Sequence, residues 1–402
     1  MPEKRVVITG LGIISPIGRG REEFCRKLLD GACGIRPASV FDMSIYKVRA
    51  AGEIRDFAPE NILGPKGLRT LDRSTKLVTC AAKLALEDAG FEVTEGNSRD
   101  IGIAVGSTMG SIKSISDFDK DALLDGPRYV NPALFPNTVI NSPASQVSIR
   151  FAVRGFNATI SNGYSSSLDA LNYAADFLRL GRIKAVLAGG VEELCEQILA
   201  GFYHAGCLAA AGGGSAGLSC PFDNRRSGIV LGEGSAMLMI EESEGAKNRG
   251  AKILGEIKGY ATAFGRDAPA QVMRQAIERS GLGLQDIDCI FASANSSVEG
   301  DRREAQAIKD VFAKDAQNMY ISAVKSIVGE QYSCSGATAA SAALCAIEKQ
   351  VIPPTLDYQE KDPLCEVRVV ARSQQAKVRN ALINAFGKAG SCSSMVISEF
   401  IG

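Results

Sequence analysis

The chain has 402 residues with 45 basic and 45 acidic side chains, so its formal charge is zero, and no positive field calls for nucleic acid or an anionic membrane. A hydrophobic share of 46% over this length allows a large core, which we read as two fused halves, 1–250 and 251–402. Eleven scattered cysteines without a C-x-x-C pair, beside one histidine, exclude a zinc-type cluster and fit a reduced cytoplasmic protein with buried thiols, no metal and no cofactor.

The opening Met1 to Arg5 runs directly into a strand, and no apolar run reaches membrane-spanning length, so neither a signal peptide nor a membrane partner is expected. Residues 5–12 are β-branched and close on Gly10 and Gly12, a core strand and tight turn rather than a dinucleotide loop, because the G-x-G-x-x-G spacing is absent. Helical periodicity follows at 22–30 and 75–90, then a buried strand at 101–107. The Gly-, Pro-, Asn- and Ser-rich stretch 109–143 predicts a long excursion over a pocket or a subunit contact.

Residues 157–190 concentrate the chemistry. A strand at 157–161 switches at Asn162-Gly163-Tyr164 to a helix from Ser165 to about Gly181, and a glycine-closed strand follows at 185–190. The unpaired N–H groups of that helix start face Tyr164, a place suited to a thiolate or an oxyanion. Residues 191–219 are mixed, with a mobile loop expected at 209–216 and a strand at 235–240.

Beyond 250 the alternation repeats, with strands at 252–260, 288–292 and 320–324 and helices at 269–280, 301–313 and 334–347. The helices at 165–180 and 334–347 lack a charged face along much of their length, which predicts a duplicated α/β architecture with two central helices side by side.

Six segments, among them RVVITGLGIISPIG, AVLAGGVEEL, PFDNRRSGIVLGEGSAMLMIEE, KSIVGEQYSCSGA and NAFGKAG, together resemble the β-ketoacyl-(acyl carrier protein) synthases of the second type over nearly the whole chain. The resemblance implies a thiolase-like five-layer αβαβα fold from two pseudo-duplicated halves. It also implies a dimer built beside the 157–161 strand and thioester substrates borne on acyl carrier protein.

In that family a cysteine at the helix start accepts the acyl chain, and two histidines promote malonyl decarboxylation. The matching positions here are Tyr164, Ser293 and Glu330, while Lys325, Ser326, Gly329, Asp301 and Glu304 keep the register. A phenol with an ordinary pKa of about 10 is a poor acyl acceptor at neutral pH. His204 lies outside these motifs. Glu330 reads as an ion-pair partner of Lys325, with a general base as the alternative, and Cys334 reads as a buried thiol, with a nucleophile as the alternative.

The threonines expected to hold a pantetheine arm align with Asn295 and Ser297, and the gating turn after Phe386 reads Gly387-Lys388-Ala389-Gly390. Met109 and Leu134, around the dimer strand, are expected to shape the partner's acyl tunnel, and Phe202 is expected among the substrate-binding residues. The resulting expectation is a chain-length-factor-like partner, inactive in condensation on its own, in a heterodimer with an active ketosynthase or in a homodimer. The alternative is an acyltransferase or thioester-processing enzyme with another residue set.

Overall fold

A computed structural model describes residues 4–43, 45–209 and 217–402, so all but Ala209 of the stretch expected to form a mobile loop lies outside the described residues. The main strands in chain order are β1 (Val6–Ser15), β2 (Ile101–Gly106), β3 (Asn157–Ile160), β4 (Ala185–Glu192), β5 (Gly234–Glu242), β6 (Gly255–Phe264), β7 (Cys289–Phe291), β8 (Tyr320–Ser322), β9 (Asn380–Phe386) and β10 (Ser391–Ser398). Their spatial order is β8-β7-β9-β10-β6-β1-β5-β4-β2-β3.

Split between β6 and β1, that order contains one pattern twice. Counting strands from each half's own start, both halves read third, second, fourth, fifth, first. Pairings agree in sense too. The second strand is parallel to the third and fourth, whereas the fifth runs antiparallel to the fourth and first. The halves join through Val7 opposite Glu256 and Ile8 opposite Gly255.

The longer helices are α1 (Gly20–Leu29), α2 (Arg73–Asp88), α3 (Ile112–Leu124), α4 (Ser142–Phe151), α5 (Ser166–Arg179), α6 (Glu196–His204), α7 (Ala268–Arg279), α8 (Val298–Phe312) and α9 (Ser335–Lys349). All ten residues of β1 are buried, and its glycines lie within the strand instead of ending it. A Cβ on Gly12 would stand 1.9 Å from the Ala81 carbonyl of α2, so only glycine lets the helix backbone rest on the sheet. Asp72 caps α2 by accepting from the Thr75 N–H at 2.8 Å.

The central pair is α5 and α9. The Ala337 N–H donates to Ser167 Oγ at 2.9 Å, and a Cβ on Gly336 would come within 2.7 Å of Leu168 Cγ. Small residues are therefore needed where these helices touch. Both start alike, with Asn162 N–H on Ser166 Oγ and Gln331 N–H on Ser335 Oγ.

Three expectations need refinement or correction. Within the 109–143 excursion, α3 and a 3₁₀ helix at Pro132–Thr138 form, because an amphipathic run hides among the turn residues. The mixed region after 190 contains α6. The thiols are not all free either, since Cys25 of α1 and Cys345 of α9 form a disulfide across 320 residues of sequence. No spacing motif marks that pair, because only the packing of α1 against α9 brings the two together.

Candidate functional site

Four loops that follow strands in the parallel parts of the sheet converge on one cleft, as parallel α/β architectures favour. The loop after β3 supplies Tyr164, that after β7 supplies Ser293 to Ser297, that after β8 leads to Lys325 and Glu330, and that after β9 supplies Gly387 to Gly390. The cleft has a volume of about 1200 Å³, and Tyr164, Ser293, Asn295, Ser297, Phe386 and Lys388 are among its lining residues.

Tyr164 lies in a 3₁₀ turn, Gly163–Ser165, just ahead of α5. Its ring meets Tyr332 edge-on at 4.6 Å, and Tyr332 in turn meets Phe202 at 5.4 Å. Lys325 Nζ lies 5.5 Å from the centre of the Tyr164 ring. Burial pushes the phenol well above its ordinary pKa, and the charges of Glu330, Tyr332 and Cys207 push the same way. At neutral pH Tyr164 is a neutral, packed ring.

Glu330 is fully buried, and its carboxylate is surrounded by donors. Oε2 accepts from Lys325 Nζ at 2.9 Å and from Asn295 Nδ2 at 2.7 Å, while Oε1 accepts from Ser335 Oγ at 2.6 Å and from the Tyr332 N–H at 2.9 Å. Lys325 Nζ also donates to the Ser293 carbonyl at 2.8 Å. Four donors on one carboxylate leave it little capacity to accept a substrate proton.

Ser293 is equally committed, because its Oγ accepts from the Phe386 N–H at 2.8 Å and its own N–H donates to Glu304 Oε1 at 2.9 Å. Asn295 has both ends of its amide in use, on Glu330 and on the Ser297 N–H at 3.2 Å. It therefore braces Glu330 from a position in the cleft lining. Cys334 is sealed in the core with Sγ 3.4 Å from the Gly190 carbonyl, and burial pushes its thiol up to about 12, which removes it as a nucleophile.

The expected site residues do not all gather in the cleft. Met109 packs instead with Ile112, Phe202 and Tyr203 against the cluster around Leu194 and Ile198. Leu134 lies on the 3₁₀ helix at Pro132–Thr138 and is 36% exposed. Phe202 reaches the site only through Tyr332. Lys325 and Glu330 form the layer behind the lining. Lys388 is exposed at the cleft mouth, where Nζ lies 3.5 Å from Cys207 Sγ.

Sequence reasoning missed Tyr332, Cys207 and the environment of Glu304. Burial raises the Glu304 carboxyl to about 7 against the opposing hydrogen bonds from Asn384 and Ser293, and its Oε2 has no hydrogen-bond partner. Asp301 rises to about 6 for the same first reason, offset by the Phe222 N–H and Arg226. Tyr332 was visible as an aromatic two residues past Glu330. Cys207 carried no signal, because it meets Lys388 only across 181 residues. Among the described residues no group of three or more His, Cys, Asp or Glu is placed to hold a metal, and no helix is long and apolar enough to cross a membrane.

Two halves with one strand order, paired central helices and a cleft at strand carboxyl ends define a thiolase-like α/β fold. The β-ketoacyl synthase N-terminal domain matches residues 3–246 and the C-terminal domain of the same family matches 250–359. The chain belongs to the β-ketoacyl synthase family, which serves fatty-acid and polyketide biosynthesis. It is 32% identical to the 3-oxoacyl-[acyl-carrier-protein] synthase 2 of Coxiella burnetii over 99% of both chains, and 33% identical to that of Synechocystis over 97% of both. Among solved structures, the ishigamide ketosynthase/chain length factor superposes with a TM-score of 0.92 at 30% identity, over 99% of this chain and 100% of that one. A type II polyketide ketosynthase in complex with its acyl-carrier protein gives 0.90 at 26% identity, over 99% and 100% respectively.

Proposed function

We propose that this chain is a non-condensing ketosynthase homologue of the chain-length-factor kind, which pairs with an active β-ketoacyl synthase and helps to shape the acyl tunnel. The observation that carries the reading is the state of the three positions where the family places its thiol and two imidazoles. A packed neutral phenol, a hydroxyl bound to backbone and a four-fold-bonded carboxylate stand there. None of the three is placed to take an acyl group or to donate to an enolate oxygen.

The surface supports a partner. β3 is the terminal strand of the sheet, and Leu134, Phe135, Val139 and Ile140 nearby in sequence are exposed at 36 to 60%. The solved ketosynthase/chain length factor gives the likeness a precedent. Acyl carrier protein then docks on the pair, as an acyl-carrier protein does on its own ketosynthase in the type II polyketide complex. The two halves, 1–250 and 251–402, act together as one unit in this reading.

Co-expression with a Cys-His-His ketosynthase tests it. A stable heterodimer whose product length shifts when Leu134 is replaced by Phe or Ala is expected. A homodimer that ignores the partner, or condensation of malonyl thioester by the purified chain alone, overturns it.

A further inference from the structure

The cleft holds one nucleophile that the family comparison does not use. Among the described residues nine cysteines are free, and Cys207 alone lines the cleft. It follows the end of α6, is partly exposed, and faces the Gly387–Gly390 turn from the opposite wall. Lys388 Nζ lies 3.5 Å from its sulfur, and the same sulfur is 3.5 Å from the Ala205 carbonyl.

The turn that carries Lys388 is held in place. Arg303 Nη2 donates to the Gly387 carbonyl at 2.9 Å, and the Gly387 N–H donates to the Ser391 carbonyl at 2.7 Å. The lysine is therefore presented from a fixed support. A second feature of the same wall points to a ligand. Glu304 is among the residues lining the cleft, and its buried Oε2 has no hydrogen-bond partner, an unfilled bonding position beside the space a bound molecule would occupy.

We propose that Cys207, assisted by Lys388, is an acyl-accepting thiol that takes an acyl group from a thioester by exchange. The sulfur attacks the thioester carbonyl carbon, and a new C–S bond forms. The donor's C–S bond breaks with its electron pair, and the departing thiolate takes up the proton that Cys207 gave up. Nothing is oxidised or reduced. The Lys388 ammonium accompanies the negative charge, first on the attacking sulfur and then on the tetrahedral oxygen. The cleft has room for an acyl chain and the arm of its donor. This chemistry requires neither decarboxylation nor an enolate, so it goes beyond the non-condensing role and holds whether or not the chain pairs with another ketosynthase.

The purified full-length chain is incubated with octanoyl-N-acetylcysteamine, and in a parallel arm with octanoyl acyl carrier protein. Samples quenched in acid are read by intact mass and peptide mapping. One octanoyl group per chain is expected on Cys207, removable by hydroxylamine, lost in C207S and retained in C334S. K388Q is expected to slow its appearance about tenfold. Labelling in the first arm assigns a free thioester as donor, and labelling in the second arm alone assigns a carrier-borne one. No adduct in either arm, an adduct on another cysteine, or a hydroxylamine-resistant adduct on Lys388 overturns the proposal. An unchanged rate in K388Q overturns the role of the lysine. A thermal midpoint of C207S equal to the parent's keeps a folding defect apart from loss of the thiol, and iodoacetamide labelling of Cys207 in the parent shows that the site is open to reagents. Heterodimer formation is scored separately, so failure here leaves the pairing experiment untouched.

Discussion

Lys325 Nζ and Glu330 Oε2 lie 2.9 Å apart, with side chains only 5% and 0% exposed. This ion pair lies in the layer behind the cleft lining, and three further donors hold its carboxylate. Removing one charge from a buried pair leaves the other uncompensated, which costs roughly 3–5 kcal/mol. E330A is therefore expected to lower the urea unfolding free energy by about that amount. The double variant K325M/E330M should recover a large part of the loss, because it buries no lone charge. Equal losses in the single and double variants would show that packing, and not the charge, sets the cost.

The aromatic edge contact of Tyr164 with Tyr332 leads to a prediction about chemistry. Y164C, made in a C207S background, places a thiol ahead of the first turn of α5, where helix N–H groups favour a thiolate. Single-turnover acylation of that cysteine is expected, with carbon–carbon bond formation still absent because Ser293 and Glu330 remain in place. Intact mass reads the first outcome and a radiolabelled malonyl assay the second. Appearance of a β-ketoacyl product in Y164C would show that the other two positions are competent as they stand.

Much of this arrangement was legible in the chain. Repeating strands and helices on both sides of residue 250 foretold the duplication, and the small residues of α9 foretold its contact with α5. Lys325 and Glu330 were near enough in sequence for their pairing to be expected. What the sequence hid depends on side chains that meet only through the fold. Asn295 aligns with a ligand contact and also turns to Glu330, because a buried carboxylate needs donors. α3 was hidden by the glycines and prolines around it, which dominate a reading based on local composition. Cys25 and Cys345 looked like ordinary core thiols until α1 lay beside α9.

Two neighbouring carboxyls at the end of β4 predict a pH dependence. Burial raises Glu192 to about 7 and Glu193 to about 8, from ordinary values near 4.5. Ser333, Met109 and Thr108 donate to the first, and the Lys113 N–H donates to the second at 3.3 Å. Above pH 4.5 the unfolded chain releases these protons while the folded chain keeps them. The stabilisation is thus complete below that value and is lost as pH rises through 7 and 8. Each group contributes a slope of at most about −1.4 kcal/mol per pH unit within its window. Urea titrations between pH 5 and 8 should show stability falling with pH, and E193Q should flatten the fall over this whole range and most completely between 7 and 8, where Glu192 has already titrated. A slope unchanged by E193Q would assign the pH dependence to other groups, such as Glu304.

The exposed aromatic Phe135 gives the last expectation. It lies on the 3₁₀ helix at Pro132–Thr138, meets Phe118 of α3 in a tilted ring contact at 6.1 Å and is 60% exposed, with Val139 and Ile140 exposed just beyond it. A side chain of that size left open to water contributes little to the stability of the single chain, yet it contributes about 1.5–3 kcal/mol when an interface covers it. F135E is accordingly expected to leave the thermal midpoint within a few degrees of the parent's while weakening association of this chain, with itself or with a ketosynthase, by at least roughly tenfold. Sedimentation velocity across a concentration series measures both species. A parent chain that stays monomeric at every concentration and with every ketosynthase tried would overturn the pairing itself, and an F135E variant that associates as tightly as the parent would place the interface elsewhere on the molecule.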